Sequence, residues 1–185
     1  MPTPSHETKR YGVSDAKIYR VTGDTASAYT YGPGIDIPGI KAITLDAQTS
    51  TKTLRGDNSL IDSMIALDSI TGTIQFAKDS QDVTAAALGL TVSDDSSTSE
   101  LMIDGEATPQ PLRLEAIAAG SDFVSGGVKL YIAKLYMVPI AGFAEEDYQT
   151  MSVPFTCTPT VWRDSNSKRV WVGTINSSVA ITASS

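Results

Sequence analysis

Alternation of apolar and polar residues dominates one long stretch of the chain. In IKAITLDAQTSTKTLR, residues 40–55, two apolar side chains share one parity and four polar ones share the other. This period of two predicts a half-buried strand. One face carries Ile43 and Leu45, and the other carries Thr44, Asp46, Gln48 and Lys52. A second extended run, SLIDSMIALDSITGTIQFA, occupies residues 59–77. Two such long runs, joined by a short connection, predict one long hairpin.

The connection itself has the composition of a tight turn. Gly56, Asp57 and Asn58 all accept the left-handed backbone conformation that such turns require, so they are predicted to form the corner of the hairpin. The same stretch contains the tripeptide Arg-Gly-Asp, which in an extracellular loop can serve as an adhesion signal. An adhesion module is therefore an alternative that the sequence leaves open.

One segment has the start and stop signals of a helix. Ser80 is suited to the N-cap, alanines fill the interior, and Gly89 provides the C-terminal stop. A helix this short is marginal alone. We therefore expect Val83, Ala86 and Ala87 to pack against the sheet.

Glycine and proline indicate where the other strands end. The stretch TYGPGIDIPG at 30–39 predicts a loop. Asp104-Gly105 predicts a two-residue hairpin corner, and a terminal hairpin is expected around Asn176-Ser177.

The most regular alternation lies in QTMSVPFTCTPT. It predicts an inward face of Met151, Val153, Phe155 and Cys157. Pro154 has the outward parity, and its missing N–H predicts a strand at an edge or beside a bulge.

These elements predict an all-β fold with one short helix. Residues 1–12 are interpreted as an N-terminal arm, 13–160 as the main domain and 161–185 as a C-terminal hairpin extension of the same domain. A length of 185 residues with 41% hydrophobic and 19% charged residues is typical of one such domain.

Charge and residue content exclude several functions. A net charge of -7 argues against sequence-specific binding of nucleic acid, which depends on Lys and Arg. His6 is the only histidine and Cys157 the only cysteine, which excludes a histidine-dependent triad, an internal disulfide and a multi-cysteine metal site. The chain also has no apolar run that predicts a secretion signal or a membrane span, so we expect a protein made and used in solution, without membrane contact.

Catalysis would have to rest on carboxylates. Asp62 and Asp68 are one possible acid and base pair, as in glycosidases, which keeps a carbohydrate-active enzyme as a further alternative. Calcium ligands are conceivable in the stretch containing Asp94, Asp95 and Glu100, although the spacing matches no EF-hand loop. Dispersed carboxylates are usually only solvated, so we expect no enzyme and no cofactor.

Long strands raise the problem of unpaired sheet edges. Such edges promote association unless they are covered or joined to a neighbour. Head-to-tail repetition around a closed ring satisfies every edge, because each one meets the next subunit.

The stretch KAITLDAQTSTKTLRGDNSLIDSMIALDSITGTIQFAKDSQDVTAAALG and the later VKLYIAKLYMVPIAGFAEEDYQTMSVPFTCTPT resemble the major tail tube proteins of long-tailed bacteriophages. The resemblance covers roughly residues 13–160 and consists of a pattern of strands and turns. It implies a β-sandwich with a flanking helix, whose long hairpins join between subunits into one inner β-barrel. It also implies stacked hexameric rings that form the hollow tail tube of the virion, assembled in the host cytoplasm.

The partners implied by this resemblance are other copies of the chain, the tape-measure protein, and tail terminator and initiator proteins. DNA passes through such tubes without specific binding. A lumen that lets a polyanion slide is expected to carry neutral or acidic side chains, and we place Asp46, Asp62 and Asp68 there as a hypothesis. The arm at 1–12 and the segment 30–39 are candidate contacts between rings.

Overall fold

A computed structural model describes residues 10–56, 59–95, 97–120, 127–140, 150–177 and 183. Within these residues the chain is mostly β-strand with one short helix, which confirms the predicted fold class. The elements are β1 (Arg10–Asp24), β2 (Tyr29–Asp36), β3 (Ile40–Gly56), β4 (Ser59–Phe76), α1 (Gln81–Leu88), β5 (Ser93–Asp94), β6 (Ser99–Glu100), β7 (Leu112–Gly120), β8 (Gly127–Met137), β9 (Met151–Cys157) and β10 (Val172–Ser177).

The main sheet bends back upon itself. Its strands follow the order β2-β1-β7-β8-β9-β4-β3, all neighbours being antiparallel, and β10 pairs with β8. Side chains from distant positions in this order, such as Ile18 of β1 and Ile74 of β4, belong to one hydrophobic cluster, and β1 also contacts β3. The part of the sheet that contains β1 and the part that contains β4 therefore face each other like the layers of a sandwich, although hydrogen bonds join them into one sheet.

The helix forms as its caps predict. The Ser80 hydroxyl accepts a hydrogen bond from the Val83 N–H at 3.4 Å, and Gly89 adopts a left-handed conformation with φ of 72°. Val83, Ala86 and Ala87 are buried in the core cluster, which confirms the predicted packing face. Thr84 is buried as well, and its hydroxyl donates to the Pro139 carbonyl at 2.9 Å.

Strand β9 has the inward face that its alternation predicts. Val153, Phe155 and Cys157 are buried, whereas the residues between them are exposed. The strand is not at an edge, because it lies between β8 and β4. Its ladder with β8 ends at Phe155, however, so Pro154 has a strand neighbour on the β4 side only. The missing N–H is tolerated there for this reason.

The loop predicted at 30–39 is wrong over most of its length, because residues 29–36 form β2. This strand is at one end of the sheet order. Its ladder passes from the pair Tyr19–Gly34 to the pair Val21–Tyr31, which leaves Gly32 and Pro33 together opposite one residue. An edge position and a bulge are the two places where a strand accepts proline.

Two predicted hairpin corners are also wrong. Asp104 does form a turn, since its carboxylate accepts the Glu106 N–H at 3.0 Å, but residues 101–111 on both sides are not strands. Prolines at 109 and 111 supply no N–H for a ladder there. Asn176 and Ser177 continue β10, in which they pair with β8.

The terminal segments are described only in part. Residues 10–12 of the predicted arm belong to β1, and residues 1–9 lie outside the described part of the chain. The return strand of the predicted C-terminal hairpin falls mostly within 178–185, of which only Ala183 is described.

We predict that Gly72→Ala lowers the free energy of unfolding by about 1–3 kcal/mol, the usual cost of overpacking. A Cβ at this position would overlap the Thr44 carbonyl oxygen and lie 2.5 Å from a ring carbon of Phe155. Urea unfolding measures the effect. The control is Gly105→Ala, where an added Cβ meets nothing within 4 Å and the change should stay within about 0.5 kcal/mol. Equal stabilities of the two variants would contradict this packing.

Candidate assembly surface

The hairpin of β3 and β4 extends well beyond the body of the domain. The two strands pair from Ile40–Phe76 to Gly56–Ser59, whereas β9 covers the other edge of β4 only from Phe76 to Ile70. We call residues 45–56 and 59–69 the outer hairpin. At about 3.3 Å per residue, the stretch of β4 beyond β9 is roughly 35 Å long.

The ladder of the outer hairpin ends beside the residues predicted to form the corner. Gly56 is the last residue of β3 and pairs with Ser59 of β4. Asp57 and Asn58 lie outside the described residues, and the predicted corner stays a prediction. Arg55 and Gly56, the first two residues of the Arg-Gly-Asp tripeptide, are the last two residues of β3.

A β-bulge interrupts the ladder of the outer hairpin. Gln48 pairs with Ser69, but the next residue, Thr49, pairs with Leu67. Asp68 is thus the extra residue of β4. At this bulge two residues of β4 oppose one residue of β3. The β4 positions that lie on a given face of the ladder therefore change from even-numbered to odd-numbered, or the reverse, beyond it.

The change of parity keeps apolar residues on one face. Ile43 pairs with Ile74 in the core, and this core-side face continues along β3 through odd-numbered positions. On β4 it continues through Ile70 before the bulge and through Leu67 and Ile65 after it. The apolar stripe therefore runs without a break from the core into the outer hairpin.

No part of the described chain covers this stripe. Ile65 is 71% exposed, Leu67 45% and Leu45 41%. Apolar side chains that lie together in a row and extend from a core are typical of a surface that binds a partner. The sequence reasoning missed Ile65 and Leu67, because a strict period of two over residues 59–77 does not allow for the phase change at Asp68.

The opposite face of the outer hairpin is mainly polar. Asp46 lies on this face and accepts a hydrogen bond from the Gln48 amide at 2.8 Å. Met64 is the large exception, with 59% exposure. The register places the following polar residues on the same face of the β3–β4 ladder: Thr44, Ser50, Lys52, Ser69, Thr71 and Thr73.

The three predicted lumen residues occupy different positions. Asp46 belongs to the polar face, in agreement with the faces predicted for β3. Asp68 is exposed but is the bulge residue and belongs to no ladder pair. Asp62 pairs with Leu54, and its side chain lies outside the described residues.

Both backbone edges of the outer hairpin are open in the described part of the chain. The only ladder partner of β3 there is β4, and β4 itself has β3 alone from Ser69 to Ser59. Open edges of this length are templates for pairing with another strand. The outer hairpin therefore offers two edges and an apolar face for contact with a partner.

Among the described residues, the acidic side chains considered for catalysis or calcium do not form a cluster. Asp94 pairs with Ser99 in the small β5–β6 hairpin, and both are exposed. A search of the described residues finds no group of three or more His, Cys, Asp or Glu side chains that could hold a metal ion.

A second feature is an ion network on the sheet face opposite the core. The buried carboxylate of Glu115 contacts the Arg113 guanidinium at 2.6 Å and the Lys129 ammonium at 2.8 Å. Arg113 also lies 4.8 Å from the ring centre of Tyr31 and 5.3 Å from that of Tyr131. The adjoining pocket of about 290 Å³ is lined by Arg113, Lys129 and Tyr131 and by the segment around Trp162. Since Glu115 engages both cations, we interpret the network as structural.

Asp24 attaches that segment to the sheet. Its carboxylate accepts the Val161 and Trp162 N–H groups at 2.8 and 3.0 Å and the Lys134 ammonium at 2.9 Å. Burial by itself raises the pKa of Asp24, but the hydrogen bonds from Trp162, Lys134 and Val161 outweigh it and lower the pKa below the ordinary value of 3.8.

We predict that Asp24→Asn destabilises the protein by about 1–3 kcal/mol at pH 7, the range for hydrogen bonds to a charged group. Because folding lowers this pKa, the stabilisation is present above pH 3.8 and is lost as the pH falls through the folded-state pKa. Urea unfolding of both proteins across this range should show the difference shrinking in acid. The exposed Asp79→Asn is the control and should change the stability by at most about 0.5 kcal/mol. A gap for Asp24→Asn that persists at low pH would refute the account.

No protein-family model matches this chain, and no curated protein is significantly similar to it. In the part of the chain that the structure describes, no helix has the length and apolar character needed to cross a bilayer. The outer hairpin is therefore the feature of the molecule that best indicates a function.

Proposed function

We propose that this chain is a structural subunit that assembles head-to-tail through its outer hairpin into closed rings, and that the rings stack into a hollow tube. The observation that carries the proposal is the outer hairpin itself, with its two open edges and its uncovered apolar stripe. A protruding ribbon of two strands is marginally stable in water, and neighbouring copies would supply the missing strands and cover.

The two open edges support assembly into a ring. The open edge of β3 and the open edge of β4 are different surfaces, so joining one to the other between copies gives a heterologous contact. A rotation that closes upon itself would then use every edge. In such a ring the outer hairpins would form a continuous antiparallel barrel, because β4 of each copy runs opposite to β3 of the next.

The two faces of the outer hairpin would have different surroundings in this barrel. The apolar stripe would face the domain bodies, and the polar face, including Asp46 and Gln48, would line the bore. A bore of mostly neutral side chains, in which Asp46 offsets Lys52, offers little anchoring to a polyanion. This fits the passage of DNA through the tail tube of a virion, which is the role that the resemblance to tail tube proteins implies.

The same resemblance supplies the remaining parts of the proposal. The rings are hexameric, the tape-measure protein fills the bore before DNA, and terminator and initiator proteins contact the tube ends. The chain acts as a non-enzymatic component of the virion tail. The edge strand β2 and the N-terminal residues are candidates for contacts between stacked rings.

The Arg-Gly-Asp sequence, whose first two residues end β3, favours one alternative, an adhesion or receptor-binding module. The two functions differ in what the apolar stripe does. An adhesion module would remain a monomer or small oligomer with the stripe exposed, whereas a tube subunit buries it in every contact.

We predict that Ile65→Thr combined with Leu67→Thr prevents assembly, because it removes the apolar part of the contact while leaving the domain core untouched. Sedimentation velocity and electron microscopy of the concentrated protein measure assembly, and thermal unfolding of the dilute protein checks the fold. The matched control is Ile103→Thr, which alters an exposed apolar residue outside the hairpin. Rings or tubes should form with the wild type and the control only; a wild type that stays monomeric at high concentration would refute the proposed function.

A second prediction concerns the polar face. In assembled tubes, Asp46→Lys should create rings of positive charge and cause retention of short duplex DNA, which pelleting of the tubes detects. Retention should fall as the salt concentration rises, since counterion release drives the binding. Asp79→Lys makes the same charge change outside the hairpin and should retain DNA no better than the wild type. Equal retention by the two variants would remove Asp46 from the bore.

A further inference from the structure

The apolar stripe has a potential receptor on the same molecule. A cavity of about 250 Å³ opens at one end of the core, where β1, β7 and β8 approach the first residues of β3. The lining is apolar except for one lysine and includes Val13, Ala116, Ala118, Val128 and Leu130. An apolar cavity of about 150 Å³ accommodates a group the size of benzene, so this one has room for branched aliphatic side chains.

The stripe and the cavity cannot meet within one copy. The cavity includes Lys41 and Ile43, whereas Leu67 and Ile65 pair with Thr49 and Thr51. Six to eight residues of extended strand separate the two places, which is roughly 20–25 Å. Apolar groups that protrude at one place and a cavity at another form a heterologous pair that only two copies can satisfy.

The position of the cavity suits a neighbour that pairs along β3. Ile43 lines the cavity and belongs to the core-side face of β3, the strand whose outer edge is open. A strand added to that edge extends the same face, so its apolar residues would come alongside Ile43. Neighbouring strands of a closed barrel are also staggered along the axis, which brings the neighbour's Leu67 closer to the base of β3.

Charge favours the same arrangement. Lys41 is the charged residue among those that line the cavity. Asp68, the exposed bulge residue, follows Leu67 directly in the chain. If Leu67 enters the cavity of a neighbour, Asp68 approaches Lys41 of that neighbour. This charge complementarity helps to select how the two copies align along β3.

We propose that the occupant of this cavity is a second copy of the chain, and that Leu67 and Ile65 of one subunit complete the open end of the next subunit's core. This inference rests on the proposed function and adds to it the receiving surface. It also explains why the bulge at Asp68 matters, since without the change of parity Leu67 and Ile65 would lie on the polar face.

Disulfide trapping tests the contact. The protein carries one native cysteine, Cys157, which is buried and whose pKa burial raises to about 11, so it stays an unreactive thiol near pH 8. The test variant combines Leu67→Cys with Ala118→Cys. The matched control combines Ser50→Cys, on the polar face of the same hairpin, with Ala118→Cys. Both are assembled, oxidised mildly and run on a denaturing gel without reductant.

We expect a ladder of covalent dimers and higher oligomers from the Leu67→Cys pair and at least about tenfold less from the Ser50→Cys pair, because a disulfide needs Cβ atoms within about 4.5 Å. Val13→Cys replaces Ala118→Cys if the latter disturbs folding, as judged by circular dichroism. Assembled particles without the ladder, or with equal ladders from both pairs, overturn the docking and leave the proposed function standing. Absence of any assembly by the wild type overturns both.

Discussion

The rest of the structure depends on one constraint. A two-stranded ribbon extends beyond its own core, and within the described chain its backbone edges have no further strand partner and its apolar face has no cover. Each open edge presents backbone N–H and C=O groups in a row, and one face carries apolar side chains that water surrounds. Only a few kcal/mol separate the folded from the unfolded state of a domain. A ribbon of this length is therefore best understood as half of an interface, and we propose that copies of the chain complete it for one another.

Sequence patterns predicted the parts of the fold that local chemistry determines. The long strands β3 and β4, the helix with its Ser80 and Gly89 caps, and the inward face of β9 all follow from periodicity and capping. Tertiary context decided the rest. The local sequence around Gly32 and Pro33 is typical of a loop, but these residues form a bulge in β2, which is an edge strand. Asp104-Gly105 has the sequence of a hairpin corner, but the prolines that follow prevent a ladder.

The candidate assembly surface was likewise predicted only in part. Alternation along β3 correctly assigned Asp46 to a polar face, because β3 runs through this stretch without a bulge of its own. It did not identify Leu67 and Ile65, since the phase of β4 depends on which residue the ladder leaves out, and that is known only once both strands are paired. A change of apolar parity within a long strand, here from 65 and 67 to 70 and 74, is the signal that would have located the bulge.

Hydrogen exchange of the outer-hairpin amides, in dilute and in assembled protein, tests the central claim most directly. The account predicts rapid exchange across residues 45–56 and 59–69 in the dilute monomer, while the amides of β7 and β8 stay protected, and strong protection of the hairpin once copies associate. Hairpin amides that are as protected in the monomer as those of the core would show that the ribbon needs no neighbour. Amides that remain unprotected after assembly would show that the copies associate through another surface.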